Sequence, residues 1–379
     1  MDYFELHKLY KANSLFGRYI TLKDLEPLLE KLPTEIIGTS VQGKPIYKHT
    51  IGSGKIRIFM WSQMHGNEST TTKALFDFLN VLNSENELGA KLLSHFTFCI
   101  LPIVNPDGAE LYTRENANKV DLNRDSVTLL QPESQLLRKT FDEFKPDFCY
   151  NLHDQRTIFG AGTNGNVATV SFLAPSFNEN RDINDTRIKA MNVIVAMNNE
   201  LQKYIPNQVG RFDDGFNLNC IGDMFTFLNV PTILFEAGHY QDDYYREFTR
   251  KMIFIALISG LLDIYENDVV DNKIDVYLQI PQNNVVFYDF IYKNVKINYD
   301  NKEIITNFAA QYKEELIDSK VQLNAYIVEI GELKGKYGHI QYNAHKMKYF
   351  DEFDNIPKIN QKANFYLGKD IKFVNGLKK

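Results

Sequence analysis

The stretch from Ile56 to Glu68, IRIFMWSQMHGNE, constrains the fold of this chain more than any other. It begins as an almost continuous apolar run, which is typical of a strand buried on both faces of a parallel sheet. It ends in a histidine and a carboxylate three residues apart, His65 and Glu68, with Gly66 between them to allow a tight bend. The residues that follow place apolar side chains at helical spacing. The unit is therefore predicted to be a buried strand, a turn with two possible metal ligands, and a helix.

Three further apolar runs in the chain also end in polar residues. FTFCILPIV is followed by the tetrapeptide from Asn105 to Gly108, whose composition predicts a turn. DFCYNLHDQ ends close after His153, and VPTILFEAG ends close after Glu236. In open α/β sheets, ligands bind beyond the carboxyl ends of the strands. The runs therefore predict an α/β fold with a mixed, largely parallel twisted sheet, helices on both faces, and the polar ends of the strands at one rim.

The composition is that of a soluble globular protein. Of the 379 residues, 44% are hydrophobic and 24% are charged, and the net charge of -6 argues against nucleic acid as a partner. The longest apolar run, which starts at Met252, is too short to span a bilayer, and residues 1–20 do not form a signal peptide. Without an export signal, Cys99, Cys149 and Cys220 are predicted to be reduced core thiols. We therefore expect a cytoplasmic protein without a membrane partner.

Residues beyond about Asp271 differ in character from those before them. They alternate apolar and polar side chains and are rich in Val, Ile, Tyr and Phe, which predicts a β-rich region with one possible helical turn from Ala309 to Leu316. Earlier in the chain, a Gly- and Asn-rich stretch from Arg156 to Asn184 predicts a long loop. We therefore expect an α/β domain over residues 1–270 and a small β-rich domain over residues 271–379.

Two histidines and one carboxylate among the strand ends form a candidate set of metal ligands. Together with His153, the pair His65 and Glu68 matches the three-ligand sets that hold catalytic zinc and leave a fourth position to water. Zinc held in this way can polarise a carbonyl or generate hydroxide near neutral pH. A structural zinc site would usually be closed by paired cysteines, which this chain does not offer. We therefore expect one catalytic Zn²⁺ per chain.

Five short motifs, HGNE, NPDG, VDLNRD, NLHD and FEAG, occur in this order along the chain. Together they resemble the zinc carboxypeptidase family of the carboxypeptidase A type, and the similarity extends from about Ile37 to Tyr265. The resemblance implies a mixed, eight-stranded α/β sheet. It also implies a metallopeptidase that removes the C-terminal residue of a peptide, with His65, Glu68 and His153 as its zinc ligands.

The resemblance also implies roles for residues around the metal. Glu236 would be the general base, and its position at the end of an apolar strand favours a raised pKa. Asn123 and Arg124 would bind the terminal carboxylate of the substrate, for which a planar guanidinium is suited. Arg114 would polarise the scissile carbonyl, and Asp121 would orient a liganding histidine.

The chain departs from the family in two places. The stretch that joins Arg114 to Asn123 is shorter than the family pattern. The family's loop tyrosine, which lies upstream of the base, has no counterpart between Ile205 and His239, and we expect Tyr240 to pack rather than to replace it. The substrate's side-chain preference therefore stays open.

Two other functions compete with this one. An amidohydrolase that resembles the aspartoacylase and succinylglutamate desuccinylase group would share the His-Gly-x-Glu motif, the Asn-Arg pair and the catalytic Glu, but would act on an N-acyl amino acid. The NPDG turn and the Asp after His153 favour the peptidase. A binding module without activity is disfavoured because every ligand and the base are present. In either enzyme, the partner is a substrate with a free carboxylate, which is a peptide or an acyl amino acid.

Overall fold

The computed structural model describes residues 1–267, 272–299 and 302–379. Within these ranges the chain forms a first unit, Met1–Gln155 with Ala168–Asn283, and a second unit, Arg156–Val167 with Asn284–Lys379. The domain boundary expected between residues 270 and 271 lies outside the described residues, so that division stays a prediction.

Helices and strands are numbered in chain order. The described helices are α1 (Tyr3–Tyr10), α2 (Leu22–Leu29), α3 (Thr70–Leu82), α4 (Glu87–His95), α5 (Pro106–Leu111), α6 (Pro132–Phe144), α7 (Asp185–Leu201), α8 (Ile221–Phe227), α9 (Glu247–Glu266) and α10 (Ile274–Gln279), with a short 3-10 helix at Leu122–Arg124. The described strands are β1 (Thr34–Thr39), β2 (Pro45–Gly52), β3 (Ile56–Ser62), β4 (Phe96–Leu101), β5 (Phe148–Asp154), β6 (Phe159–Ala161), β7 (Val170–Leu173), β8 (Val209–Arg211), β9 (Thr232–Ala237), β10 (Asn283–Val285), β11 (Phe287–Tyr299), β12 (Lys302–Ile317), β13 (Lys320–Gly331), β14 (Tyr337–Asn343), β15 (Tyr349–Phe350), β16 (Phe365–Leu367), β17 (Ile371–Val374) and β18 (Leu377–Lys378).

An eight-stranded sheet forms the centre of the first unit, with the strand order β1-β2-β4-β3-β5-β9-β7-β8. The middle strands β4, β3, β5 and β9 are parallel to one another, whereas β2 and β7 run antiparallel to their neighbours β4 and β9. Because β3, β5 and β9 run in the same direction, their carboxyl ends lie at one edge of the sheet. The predicted mixed α/β sheet is therefore confirmed.

Alternate residues of the central strands pack on opposite faces of this sheet. On β3, Ile58 and Met60 join one hydrophobic core with α3, α7 and α9, whereas Phe59 and Trp61 join a second core with α6 and α8. These four side chains are fully buried, and each contributes about 1.5–3 kcal/mol relative to exposure. The helices therefore cover both faces of the sheet, as predicted.

The apolar run that starts at Met252 lies within α9 and is buried in the first of these cores. None of the helices in the described part of the chain is both long enough and apolar enough to cross a membrane. All three cysteines are free thiols, and Cys99 and Cys149 are buried as predicted. Cys220 is only half-buried, because it precedes α8 rather than lying within a strand.

Two predicted loop segments have regular structure. The Asn105 to Gly108 segment does not stop at a turn, because Pro106 begins α5 and Asn105 Oδ1 accepts a hydrogen bond from the Gly108 N–H at 2.8 Å. A capping asparagine followed by proline is a strong helix start. The stretch from Arg156 to Asn184 contains β6 and β7, and β7 is a strand of the central sheet.

The predicted helical turn from Ala309 to Leu316 is also wrong, because these residues lie within β12. Alanine and glutamate favour a helix locally. Here, however, β12 pairs antiparallel with β11 on one side and with β13 on the other. Pairing on both sides satisfies the backbone along the strand and outweighs the local preference.

Two four-stranded sheets make up most of the second unit, with the orders β13-β12-β11-β14 and β15-β16-β17-β18. Aromatic side chains from both sheets form its core, including Phe290, Tyr292 and Phe308 from the first and Phe365 and Phe373 from the second. The predicted β-rich character of the C-terminal region is therefore confirmed.

His339 on β14 is expected to make the second unit less stable in acid. Its ring stacks on Phe287 with centroids 4.7 Å apart, and its Nε2 donates to the Thr157 carbonyl at 2.8 Å. Burial lowers the pKa of His339 to about 4, below the value of about 6.5 in an unfolded chain. The unfolded state therefore binds the extra proton first, and the stability of this unit should fall by at most about 3 kcal/mol as the pH drops from 6.5 to 4.

Hydrogen exchange of the β14 peptide across this pH range, corrected for the intrinsic rate, measures the effect. The variant His339→Gln keeps a hydrogen-bond donor but cannot titrate, so its protection should change much less between pH 6.5 and 4. Equal pH dependence in both proteins would contradict the assignment to His339.

Candidate metal centre and active site

The liganding turn connects β3 to α3 and carries His65 and Glu68, and His153 lies near the end of β5. Glu68 Oε1 is 2.9 Å from His65 Nδ1, and Glu68 Oε2 is 2.8 Å from His153 Nδ1. The two Nδ1 atoms are 3.0 Å apart. The structure thus brings the three predicted ligands together around one point, where they could hold a metal ion.

The hydrogen bonds of His65 determine which of its nitrogens faces the other ligands. Its Nε2 lies 3.0 Å from Asp121 Oδ1 and donates to this carboxylate. Nδ1 is then the unprotonated nitrogen, and its lone pair points at Glu68 and His153. The hydrogen bond that the predicted orienting role of Asp121 requires is therefore present. His153 Nε2 is buried and has no hydrogen-bond partner among the described residues.

The charges around the set favour the forms that bind a metal. Burial opposes ionisation of Glu68, but the adjacent His65 and His153 rings hold the pKa of this carboxyl well below its usual range. Burial lowers the pKa of His153, which favours the neutral form of this ring. Burial would also lower the pKa of His65, but the charge of Glu68 and the hydrogen bond to Asp121 raise it. Protons should therefore compete with a metal for His65 in acid.

The donor set fits zinc. Two imidazole nitrogens and one carboxylate converge, which is a ligand combination that zinc accepts at catalytic sites. These three donors leave one position of a tetrahedral shell to water or substrate. The chemistry of the set therefore agrees with the expected cofactor.

Glu236 lies on β9 directly beside His153 on β5, because the two residues are partners in the parallel register. Side chains of paired residues point to the same face of a sheet. Glu236 Oε2 is buried and has no hydrogen-bond partner among the described residues. Burial, and then the charges of Glu68 and Asp154, raise the pKa of Glu236 well above its usual range. A carboxylate in this position is suited to accept a proton.

Arg114 reaches the ligand set in spite of the short stretch that separates it from Asn123. Its Nε donates to Asp121 Oδ2 at 3.0 Å, and its Nη1 donates to Glu68 Oε1 at 3.3 Å. The side chain is 41% exposed, so its other face is open to a ligand. The structure therefore places Arg114 beside the candidate ligands, with part of its side chain exposed.

Asn123 and Arg124 lie in the 3-10 helix and contact the start of α8. Asn123 Oδ1 accepts a hydrogen bond from the Ile221 N–H at 2.9 Å, which leaves the amide nitrogen as its donor. Arg124 Nη1 donates to the Asn123 carbonyl at 2.7 Å and contacts Cys220 Sγ at 3.1 Å. The guanidinium is otherwise exposed. Contacts with Cys220 and Ile221 therefore hold the two residues in place, and their remaining hydrogen-bond donors are available to an anion.

The structure also shows roles that the sequence did not reveal. Asp154, which follows His153, accepts hydrogen bonds from the backbone N–H groups of Thr70 and Thr71 at 2.8 and 3.1 Å. It thereby joins the end of β5 to the start of α3. An acidic residue directly after a predicted ligand was the available signal. Tyr240, by contrast, packs as expected from the sequence: its ring stacks on Phe248 with centroids 4.0 Å apart, against the core.

Gly66 explains how the turn approaches α5. A Cβ on this residue would lie 1.9 Å from the Gly108 carbonyl carbon and 2.2 Å from the Ala109 nitrogen. Only glycine permits this contact between two backbones. The HGNE and NPDG motifs are therefore linked because the liganding turn touches the first turn of α5.

Comparison with known proteins gives an independent view. Residues 25–157 match the model of a family described as zinc carboxypeptidase. Carboxypeptidase 2 of Trichophyton tonsurans is 29% identical over 102 residues, which is 27% of this chain and 19% of that protein. Among solved structures, carboxypeptidase A of Helicoverpa armigera is similar with a TM-score of 0.52 and 16% identity, over 69% of this chain and 79% of that chain. A metallo-carboxypeptidase of Pseudomonas aeruginosa, in complex with (2-guanidinoethylmercapto)succinic acid, is similar with a TM-score of 0.52 and 16% identity, over 65% of this chain and 68% of that chain.

The matched family segment includes the liganding turn, the Asn123-Arg124 pair and His153, while Glu236 lies beyond it. This chain spans about a fifth of the length of the first curated relatives it matches. The structural similarity, at such low identity, concerns the fold. Residues 25–157 are thus similar to the zinc carboxypeptidase family, and the chain has a fold similar to that of the carboxypeptidases.

Proposed function

We propose that this protein is a zinc-dependent metallocarboxypeptidase that hydrolyses the C-terminal peptide bond of its substrate. The observation that carries the proposal is the convergence of His65, Glu68 and His153 with Glu236 alongside. These residues come from three separate parts of the chain. Burying polar groups of this kind costs free energy, so their convergence favours a functional role.

His65, Glu68 and His153 would hold one Zn²⁺ per chain. Zinc bound there would supply Lewis-acid polarisation of the scissile carbonyl and make a nearby water more acidic. The protein's own contribution is to fix the ligands, and Asp121 does this by orienting the His65 ring.

Glu236 is proposed as the general base. Its buried oxygen has no partner to compete for a proton, so it can accept one from the attacking water and then deliver it to the leaving amine. Arg114 would donate a hydrogen bond to the carbonyl oxygen as negative charge develops there. The positions of both side chains support these roles.

Asn123 and Arg124 are proposed to bind the free carboxylate that distinguishes a chain end from an internal peptide bond. The Asn123 amide nitrogen and the guanidinium offer neighbouring donors, and guanidinium and carboxylate geometries match. The similar Pseudomonas aeruginosa structure contains a succinic acid derivative, a ligand with carboxylates.

Arg124 provides the test of substrate class. The unmodified protein should cleave N-blocked dipeptides with a free C-terminal carboxylate at least about tenfold better, in kcat/KM, than the matched C-terminal amides. The amides should be poorer substrates because they leave the Arg124 guanidinium without an anion to pair with. Arg124→Ala should abolish the preference, mainly through KM, and Arg124→Lys should restore it in part because the charge remains.

A parallel panel of N-acetyl amino acids separates the peptidase from the amidohydrolase that acts on acyl amino acids. Faster hydrolysis of these compounds than of dipeptides would favour the amidohydrolase. Equal cleavage of free-acid and amide peptides would contradict both, since each requires the carboxylate.

A further inference from the structure

Gln63 is a buried polar residue between the end of β3 and the liganding turn. It has no exposed surface, and its backbone is left-handed, with φ at +50°. This conformation costs a residue other than glycine about 1–2 kcal/mol. Contacts elsewhere must offset this cost. The backbone carbonyl of Gln63 accepts a hydrogen bond from the Asn105 N–H at 3.1 Å, and the side-chain amide makes the others.

The Gln63 amide joins three parts of the chain. Its Nε2 donates to the Gly66 carbonyl at 2.9 Å and to the Ile20 carbonyl at 2.7 Å, which uses both amide hydrogens. Its Oε1 is 3.1 Å from Thr72 Oγ1. Gly66 lies between the two ligands of the turn, Thr72 is in the first turn of α3, and Ile20 precedes α2. One side chain thus braces the liganding turn against two other elements.

A hydrogen bond from Ser69 also connects the liganding turn to the segment before α2. Ser69, which directly follows Glu68, donates through Oγ to the Arg18 carbonyl at 2.6 Å. Arg18 and Ile20 precede residues 25–157, which match the family model. A segment outside the family match is therefore fixed to the liganding turn on both sides of its two ligands.

We propose that Gln63 is a positioning residue of the metal site, which holds His65 and Glu68 in place through the Gly66 carbonyl and anchors their turn to the segment before α2. The orientation of the Gly66 peptide sets how the two ligands face each other, and metal affinity depends on that placement. The inference rests on the proposed function only in taking His65 and Glu68 as metal ligands.

Two variants test this role. Gln63→Met keeps the size of the side chain and removes its hydrogen bonds, whereas Gln63→Gly also relieves the left-handed backbone. We expect both to bind zinc about 10–100-fold more weakly in competition with a chelator, and to alter the absorption spectrum of the cobalt-substituted protein. In the metal-free protein, both should show faster hydrogen exchange over residues 63–69.

Asn80→Ala is the matched control. Asn80 Nδ2 donates to the Tyr10 carbonyl at 2.9 Å, so it also ties α3 to the N-terminal segment, but it does not touch the liganding turn. This variant should lose some stability and keep the zinc affinity and cobalt spectrum. The inference is overturned if the Gln63 variants keep both the exchange and the affinity of the unmodified protein, or if Asn80→Ala lowers the affinity as much.

The experiment also separates this inference from the proposed function. Absence of zinc binding by the unmodified protein would overturn the proposed function. The hydrogen exchange of residues 63–69 in the metal-free variants would still test Gln63. Faster exchange than in the unmodified protein would support its role in holding the turn, and unchanged exchange would contradict it.

Discussion

Replacing Glu236 with glutamine should lower kcat by two to four orders of magnitude while the protein keeps its fold and its metal. The change preserves the size of the side chain but removes its ability to accept a proton. A loss of two to four orders of magnitude is roughly the contribution of a positioned general base. Burial and the charges of Glu68 and Asp154 raise the pKa of Glu236. The activity of the unmodified protein should therefore fall in acid as this carboxylate becomes protonated.

Steady-state kinetics and elemental analysis of the same preparations measure this prediction. Glu266→Gln removes an exposed carboxylate from the end of α9 and serves as the control, with activity expected to stay near normal. A Glu236→Gln protein that turned over at the normal rate with its metal in place would mean that another group is the base.

The variant His153→Ala should lose zinc, with an affinity reduced by more than about a hundredfold. Loss of a residue that merely orients a ligand already costs 10–100-fold, and here one of the three donors is removed. The alanine also leaves Glu68 Oε2 without the neighbouring ring at 2.8 Å. Elemental analysis after gel filtration, together with chelator competition, would measure the loss.

His345→Ala is the control for this variant because it removes an exposed histidine from the second unit. It should retain the full zinc content. If His153→Ala retained the metal as well, the zinc would have to be bound by other residues, and the ligand set proposed here would be wrong.

The sequence was enough to predict the central sheet and the residues at its rim. Apolar runs such as the one from Ile56 are buried on both faces, and this requirement is visible in each run by itself. The convergence of His65 and His153 then follows from the parallel order of β3 and β5. Local pattern and a general rule of α/β sheets were sufficient for these features.

Features that depend on distant partners could not be predicted in this way. Residues Ala309 to Leu316 form part of a strand because β11 and β13 flank them, and no local pattern contains that information. The contact between Arg124 and Cys220, and the bonds from Gln63 to Ile20 and Gly66, likewise join residues whose proximity exists only in the folded chain.

The division of the chain into units has a consequence for its synthesis. Arg156–Val167 begins two residues after Asp154, yet it belongs to the second unit, whose remaining residues begin at Asn284. β6, in this short segment, pairs with β10. During synthesis, β6 leaves the ribosome before β7, β8 and β9, and its partner β10 follows only after all three. The second unit is therefore not made of C-terminal residues alone, and β6 can pair with β10 only after Asn283–Val285 has been synthesised.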